Sequence, residues 1–286
     1  MSFGSLDIEL CSFDDAVMSE ATIGERLKMG LATIASVTIT KNEEANIQAC
    51  LDTLRWVDEM IVVDAESTDR TVELAKAYTP RVFVRTWPGY SPQKNFAMAQ
   101  ATADWILIVD ADERVSNELR GAIQALLEKP GPVIAYRVPR RNFYYGRWIR
   151  GAGQYPDPQL RLVRRGHGRY NDLSVHEHLD VEGPVGELTG HLDHHTHPTV
   201  ASHEMKIERY STLAAEERIR NRKPDAAWYH LLINPVWTFV KVYVLRGGFR
   251  DGVPGLVVSG FSAAHVLLKY AKLWERAHAT QRKVKV

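Results

Sequence analysis

The chain has 286 residues, of which 25% are charged and 45% are apolar, a length and balance that bury one full core plus an appendage and exclude disorder for most of it. Its 36 Lys and Arg against 35 Asp and Glu leave no global field of the kind that gathers nucleic acid, so no nucleic-acid partner is expected. Cys11 and Cys50 alone exclude a disulfide framework and suit a reducing cytosol, with both expected as unreactive thiols.

Residues 1–33 carry Asp7, Glu9, Asp14, Asp15 and Glu20 and lack a basic segment followed by an apolar one. They are expected to form an N-terminal extension and not a secretory signal. Ile34 to Thr40 alternates and is rich in β-branched residues, predicting a first strand. Asn42 is then a candidate cap for a helix in which Ile47, Cys50, Leu51 and Leu54 recur at helical spacing. Met60 to Asp64 predicts a second strand ending in a carboxylate, and Ser67-Thr68-Asp69 offers caps for the helix after it. Arg81 to Val84 predicts a third strand, Gln93–Ala101 a helix, Trp105–Val109 a fourth strand and Val133–Val138 a fifth. Strands alternating with helices predict an α/β fold with right-handed crossovers and a mostly parallel central sheet. From Arg140 to Trp148 the texture turns to Arg, Tyr and Trp, followed by Gly151, Gly153, Pro156 and Pro158, which suggests loops over a cleft. The last third reads as helical, split by Gly247-Gly248 and by Gly252 to Gly255.

Asp110-Ala111-Asp112-Glu113 follows the apolar fourth strand, so two carboxylates stand at a strand exit, where an open α/β sheet keeps its ligand chemistry. Hard oxygen ligands one residue apart suit Mg²⁺ or Mn²⁺, and a divalent ion there neutralises a diphosphate leaving group. Capping of the next helix is the structural alternative for the same two residues. Thr40, Lys41, Asn42 and Glu43 after the first strand and Asp64 after the second face the same sheet edge, so polar groups scattered in sequence converge there.

Val37 to Glu44, Ile61 to Asp64 with Ser67 to Thr71, Gln93-Lys94-Asn95-Phe96-Ala97 and Trp105 to Glu113 together resemble the ordered motifs of the family 2 glycosyltransferases with a GT-A fold. Val175-His176-Glu177 and Gly248-Phe249-Arg250-Asp251-Gly252 extend the resemblance to the subgroup similar to lipopolysaccharide core β-glucosyltransferases, over about residues 34–276. The resemblance implies an inverting transferase with a nucleotide-sugar donor, expected to be a UDP-sugar, and a Mg²⁺ or Mn²⁺ cofactor. Asp64 would then serve the uracil or ribose, Thr40 and Glu43 the base pocket, Lys94 the donor phosphates, and Asp110 and Asp112 the nucleotide and metal. Asn95 is expected to brace the metal motif. Ala65-Glu66 stands where the group usually has a small Ser-Gly pair, which adds a carboxylate that bears on donor choice.

Inversion needs a carboxylate to deprotonate the acceptor hydroxyl; the resemblance places it well after the metal motif, making Glu177 the first candidate and Asp172 the second, with Asp157 orienting the acceptor or the cleft. His191, His194, His195 and His197 do not have zinc-finger spacing. His194 followed by Thr196 matches a His-x-Thr of the resembling group, and His194 is a candidate metal ligand, with a surface histidine cluster as the alternative.

The expected layout is an extension over 1–33, a catalytic domain over 34–200 and a C-terminal helical region over 201–286. Leu231 to Leu245 is apolar but interrupted by Pro235 and Lys241, and Leu256 to Leu268 is short, so neither predicts a confident span. Arg246, Arg250, Lys269 and Lys272 rim both, which suits peripheral attachment to an anionic membrane surface, with a buried cap or dimer seam as the alternative. The expected protein is a cytoplasmic hexosyltransferase at the inner face of the inner membrane, acting on a lipopolysaccharide-core or other lipid-linked saccharide acceptor. A non-catalytic nucleotide-sugar or glycan-binding protein on the same fold is the second reading.

Overall fold

The computed structural model describes residues 30–171, 178–221 and 227–284. Its main sheet runs in the order β3-β2-β1-β4-β8-β6-β12-β5, with β7 and β11 pairing β6. One half is parallel: β3 (Val82–Val84), β2 (Glu59–Asp64), β1 (Ile34–Thr40) and β4 (Trp105–Ile108). The rung Thr40 to Asp64 brings two strand ends to one edge, and Val37 to Ile108 brings the start of the Asp110 turn beside them. Helices cover both faces of the parallel strands, so β2 and β4 are apolar on both, while β1 turns buried Ser36, Thr38 and Thr40 to one of them. Ile34, Leu107 and Val109 pack with Ile47, Cys50, Leu51 and Leu54 from the region of α1 (Ile47–Asp52) and with Leu119, Ile123 and Leu127 of α4 (Asn117–Glu128). Ala35, Val37, Ile106 and Ile108 pack with Ala97 and Met98 of α3 (Tyr90–Ala99). Full burial of each large aliphatic residue contributes roughly 1.5–3 kcal/mol. Helix α2 (Thr71–Lys76) joins β2 to β3.

The other half mixes directions, with β8 (Asp157–Arg164) antiparallel to both β4 and β6 (Ala135–Tyr144), and β12 (Leu192–His197) parallel to β6 and antiparallel to β5 (Glu113–Val115). The expected loops over 140–148 are therefore replaced by sheet: β6 extends to Tyr144 and pairs β7 (Arg147–Trp148). Tyr145 and Gly146, at φ 54° and 75°, form the two-residue turn, matching a twisted hairpin. Pro139 interrupted the strand signal, yet it stands opposite Pro158 of β8, so both missing N–H donors fall at one rung. A separate ribbon pairs β9 (Gly168–Tyr170) with β10 (Leu179–Val181), and β11 (Val185–Glu187) lies along β6.

Helices follow β12. α5 (Val200–Arg220) starts from Thr199, whose side chain accepts from the Ser202 N–H. α6 (Trp228–Val240) runs through Pro235, continues into a wide turn over Lys241–Leu245, and leads by a short 3₁₀ turn at Gly248–Asp251 into α7 (Gly252–Val284). The expected break at Pro235 is absent, and the run expected to be short lies within the continuous helical stretch Gly248–Arg276, formed by the 3₁₀ turn and the start of α7, which is long and apolar enough, by length and composition, to cross a membrane. The glycines are close-approach points: a Cβ at Gly151 would lie 2.2 Å from the Gly247 carbonyl oxygen, and one at Gly255 would lie 1.9 Å from that of Gly248. Asp251 accepts from the Arg150 and Gly151 N–H groups at 3.0 and 2.7 Å, which joins the helical region to the loop before β8.

Trp228, Leu232, Ile233, Val236, Trp237, Val244, Leu245, Phe249 and Val253 are exposed, several by more than 60%. Of the cations expected to rim this face, Lys272 instead ties α7 to α5, with Nζ 2.6–2.9 Å from Glu208, Ser211 and Thr212 oxygens. Lys269 lies over the Tyr270 ring and Arg246 lies against Gly153; Arg246, Lys241 and Arg250 are exposed beside the apolar face, Arg250 over the Phe249 ring.

Candidate active site

A cleft of about 1120 Å³ opens where the ends of β1 and β4 meet α3, β12 and α5, and its walls include Thr40, Glu43, Lys94, Asp110, Asp112, Arg140 and His194. Asp110 is anchored. Its Oδ2 accepts from Arg161 Nη2 at 2.7 Å, its Oδ1 lies 3.5 Å from Lys94 Nζ, and its own N–H donates to Glu113 Oε2 at 3.0 Å. Burial disfavours the Asp110 charge, yet the Arg161 and Lys94 cations outweigh it and hold the carboxyl well below the usual carboxylate range. Glu113 is fully buried and shares Arg161 with Asp110, and it receives Arg140 at 3.4 Å. Arg140 in turn grips Asp157, which also accepts from Asn142 and Gln159.

Asp112 faces His194, with Oδ2 and Nε2 3.2 Å apart. Sheet register makes the pair, because His194 of β12 lies opposite Glu113 of β5 on one side and Asn142 of β6 on the other. Asn142 Nδ2 donates to Gln154 O and Asp157, so its Oδ1 is left to accept from His194 Nδ1 at 2.7 Å. With the Nδ1 proton so assigned, the Nε2 lone pair and the Asp112 carboxylate face one point, which a proton or a cation must occupy. Burial raises the Asp112 pKa, but the hydrogen bond and charge of His194 more than reverse it. Two ligands about 2.1 Å from one divalent ion and at right angles to each other lie about 3 Å apart, so the pair fits a shared ion. An orienting amide behind a ligand histidine is the usual support of such a site. Among the described residues no third His, Cys, Asp or Glu completes a cage. Mg²⁺ and Mn²⁺ sites of this open kind fill their remaining positions with water and substrate oxygens.

The other expected residues lie as follows. Thr40 is buried on the cleft wall, and its hydroxyl has no partner among the described residues. Glu43 lies on the same wall; burial raises its pKa, with the Asn46 hydrogen bond opposing. Lys94 is buried beside Asp110. Asp64 is fully buried, and both of its oxygens accept from Ser67, so its carboxylate supports the β2 turn and lies outside the described cleft walls. Glu66 holds φ 56°, a left-handed conformation that glycine tolerates best. Asn42 does not cap α1. It too is left-handed, at φ 55°, and accepts from the Thr68 N–H, clasping the β1 and β2 turns together. Asn95 exchanges hydrogen bonds with the Tyr170 backbone instead of bracing the metal motif. Cys50 is buried, donates to the Asp110 carbonyl, and has its thiol pKa pushed up by burial. Glu177 and Asp172 lie outside the described residues.

Sequence reasoning missed the buried Arg161, the Asn142 support and the α5 wall of the cleft. It also missed the stack of His197 on His203, ring centres 4.0 Å apart, in which Tyr145 Oη meets His203 Nδ1. The i, i+4 spacing of His203, Ile207, Ser211 and Ala215, the buried face, was the available signal for α5.

A sheet whose parallel half delivers Asp110 and Asp112 into such a cleft is the α/β architecture of a GT-A nucleotide-sugar enzyme. The glycosyl transferase family 2 model matches residues 36–178. The lipopolysaccharide core biosynthesis glycosyltransferase LpsC of Rhizobium meliloti is 34% identical over 85% of this chain and 92% of its own. The glycosyltransferase RT0209 of Rickettsia typhi is 30% identical over 85% of this chain and 87% of its own. The chain belongs to glycosyl transferase family 2. Glucosyl-3-phosphoglycerate synthase from Mycobacterium tuberculosis, solved with Mn²⁺ and UDP-glucose, is 26% identical over 43% of this chain and 48% of its own, with a TM-score of 0.34.

Proposed function

We propose that the protein is an inverting hexosyltransferase that takes a sugar from a nucleotide-sugar donor, expected to be a UDP-sugar, and places it on a saccharide acceptor of the lipopolysaccharide core or another lipid-linked glycan. The Asp112–His194 pair carries this reading, since an oriented lone pair and a carboxylate meet on a cleft wall one residue from the anchored Asp110. These two side chains would hold Mg²⁺ or Mn²⁺, which supplies charge neutralisation for the departing diphosphate. Asp110, fixed by Arg161 and Lys94, holds the nucleotide side, and Lys94 adds a cation beside the phosphates. Thr40 and Glu43 line the base pocket. Glu177, with Asp172 as second candidate, takes the acceptor proton as the hydroxyl attacks the anomeric carbon.

The likeness to LpsC over most of both chains supports the lipopolysaccharide-core acceptor. The exposed apolar face from Trp228 to Val253 supports peripheral attachment at the inner face of the bacterial inner membrane. A screen of nucleotide sugars for release of nucleoside diphosphate tests the core of the proposal. Release that depends on Mg²⁺ or Mn²⁺ is expected, and release unaffected by chelation refutes the metal assignment. Binding of donor without turnover on any acceptor would favour a non-catalytic binding protein.

A further inference from the structure

Beside the Asp110, Asp112 and His194 corner, two further walls of the cleft carry chemistry to which the donor reading assigns no role. One is α5, where Lys206, Arg209, Tyr210 and Leu213 share a helical stripe that lines the cleft. Around Asp110 the cations withdrawn from solvent are each matched by a carboxylate: Lys94 by Asp110, Arg161 by Asp110 and Glu113, and Arg140 by Asp157. On α5 the matching stops. Lys206 Nζ reaches the carbonyl and hydroxyl oxygens of Thr196 at 3.2 and 3.4 Å and makes no ion-pair contact among the described residues, although its charge is felt by Asp112 and Glu43. Arg209 is exposed and has no ion-pair or hydrogen-bond partner among the described residues. Glu217, the next α5 carboxylate on the cleft wall, is eight residues and so about 12 Å of helix beyond it.

The second wall is aromatic. Trp87 and Tyr90 meet edge to face with ring centres 4.7 Å apart, and both line the cleft. Such rings offer flat apolar area with a polar tip, which suits the C–H face of a pyranose. An unmatched guanidinium suits a carboxylate or phosphate, because its fork of donors fits two oxygens of either at once.

We infer that the acceptor saccharide is acidic: Arg209 and Lys206 receive a carboxylate or phosphate on it while Trp87 and Tyr90 carry a sugar ring. This rests on the transferase reading above and names the acceptor class for the same cleft. It also gives α5 a role in choosing substrate.

The test uses the full chain and measures binding of glucuronate, glucose 6-phosphate and glucose by calorimetry or ligand-observed NMR, with and without UDP and Mn²⁺. At least one acidic sugar is expected to bind about tenfold or more tighter than glucose. Glucuronate as the tighter ligand identifies a carboxylate, and glucose 6-phosphate a phosphate. Arg209→Gln should erase the preference for the acidic sugar while UDP affinity stays as in the unaltered protein; Arg209 is exposed, so the change leaves the core alone. Equal binding of all three sugars overturns the inference, as does an acidic preference that survives in the variant. A loss of UDP affinity in Arg209→Gln also overturns it, since α5 would then serve the donor diphosphate. Because the sugars are read without UDP as well, failure of UDP to bind the unaltered protein counts against the donor reading alone.

Discussion

Arg161 Nη2 lies 2.7 Å from Asp110 Oδ2, and the same nitrogen lies 2.7 Å from Glu113 Oε1. One buried guanidinium thus holds both ends of the Asp110-Ala111-Asp112-Glu113 turn, and Glu113 closes the circuit by accepting the Asp110 N–H. Burial works against the Arg161 charge, but the two carboxylates outweigh it and keep the group charged. Arg161→Met leaves Glu113, with no exposed surface, the longer Arg140 contact as its remaining ion pair beside the Asp110 N–H. A loss of about 3–5 kcal/mol in stability is expected, the usual consequence of stranding a buried charge. Urea unfolding checks it, and a loss under about 1 kcal/mol would show that Arg140 and solvent replace Arg161.

Asn142 acts on the proposed Asp112–His194 metal pair from behind, through its hydrogen bond to His194 Nδ1. Asn142→Ala removes the acceptor that fixes the His194 ring, so Mn²⁺ affinity in the presence of UDP should fall about 10–100-fold, the usual effect of losing such a support. Asp112→Asn, which removes a negative ligand while keeping shape, should cost more than Asn142→Ala. Titration calorimetry or Mn²⁺ electron paramagnetic resonance reads both. Equal Mn²⁺ affinity in Asp112→Asn and the unaltered protein would remove Asp112 from the site.

His197 and His203 make an acid-sensitive joint between β12 and α5. Burial pushes them down to about 3 and about 4, from an ordinary value near 6.5. Their folded pKa values are depressed, so below pH 6.5 the unfolded chain takes up protons that the folded chain refuses. Their contribution to stability is whole above pH 6.5, falls as pH drops toward 4, and is lost by about pH 3. His203→Phe keeps a ring against His197 and Phe261 and should show a shallower loss of stability between pH 6.5 and 4. Parallel unfolding midpoints for the two proteins across that range would show that His203 does not titrate this way.

The parallel half of the fold was legible because its strands are covered on both faces and so read as short apolar runs between caps. Trp105 to Val109 followed by Asp110 needed no tertiary knowledge. The mixed half was not legible: Arg140, Arg141 and Asn142 look like loop residues, and they sit in β6 because Asp157, Asp193 and His194 on neighbouring strands satisfy them. No sequence window contains those pairings. Arg161 was hidden for the same reason, its partners being 48 and 51 residues away. Asn42 misled because a cap residue before a helical pattern and a left-handed clasp between two turns use the same side chain.

Asp251 ties the helical region to the sheet domain through two backbone donors. Asp251→Ala should leave the Arg150 and Gly151 N–H groups without their acceptor, at a cost of about 1–3 kcal/mol. Gly151→Ala should be worse, because its Cβ would lie 2.2 Å from the Gly247 carbonyl oxygen and backbone on both sides must move. Limited proteolysis checks the consequence, with faster cleavage around residues 245–252 expected in both variants. Unchanged cleavage in Gly151→Ala would mean that the loop before β8 moves freely.

The proposed membrane attachment separates into an apolar part and a charged part. Leu232, Trp237 and Leu245 are 62%, 56% and 66% exposed, so changing all three to Ser alters the face and spares the core. Each contributes roughly 1–3 kcal/mol if fully inserted, and the triple variant should lose sedimentation with vesicles at any salt concentration. Lys241 and Arg250 are the cations beside this face that do not pack against another element, since Lys272 holds α5 and Arg246 covers Gly153. Their replacement by Gln should remove roughly 1 kcal/mol each of attraction to anionic lipid and abolish the preference for anionic over neutral vesicles. Salt should release the unaltered protein only in part, because screening weakens the charged contribution and leaves the apolar one. Equal sedimentation of the triple Ser variant and the unaltered protein would assign the apolar face to a protein contact, and a dimer by analytical ultracentrifugation that the triple variant loses would identify that contact as a second copy of this chain.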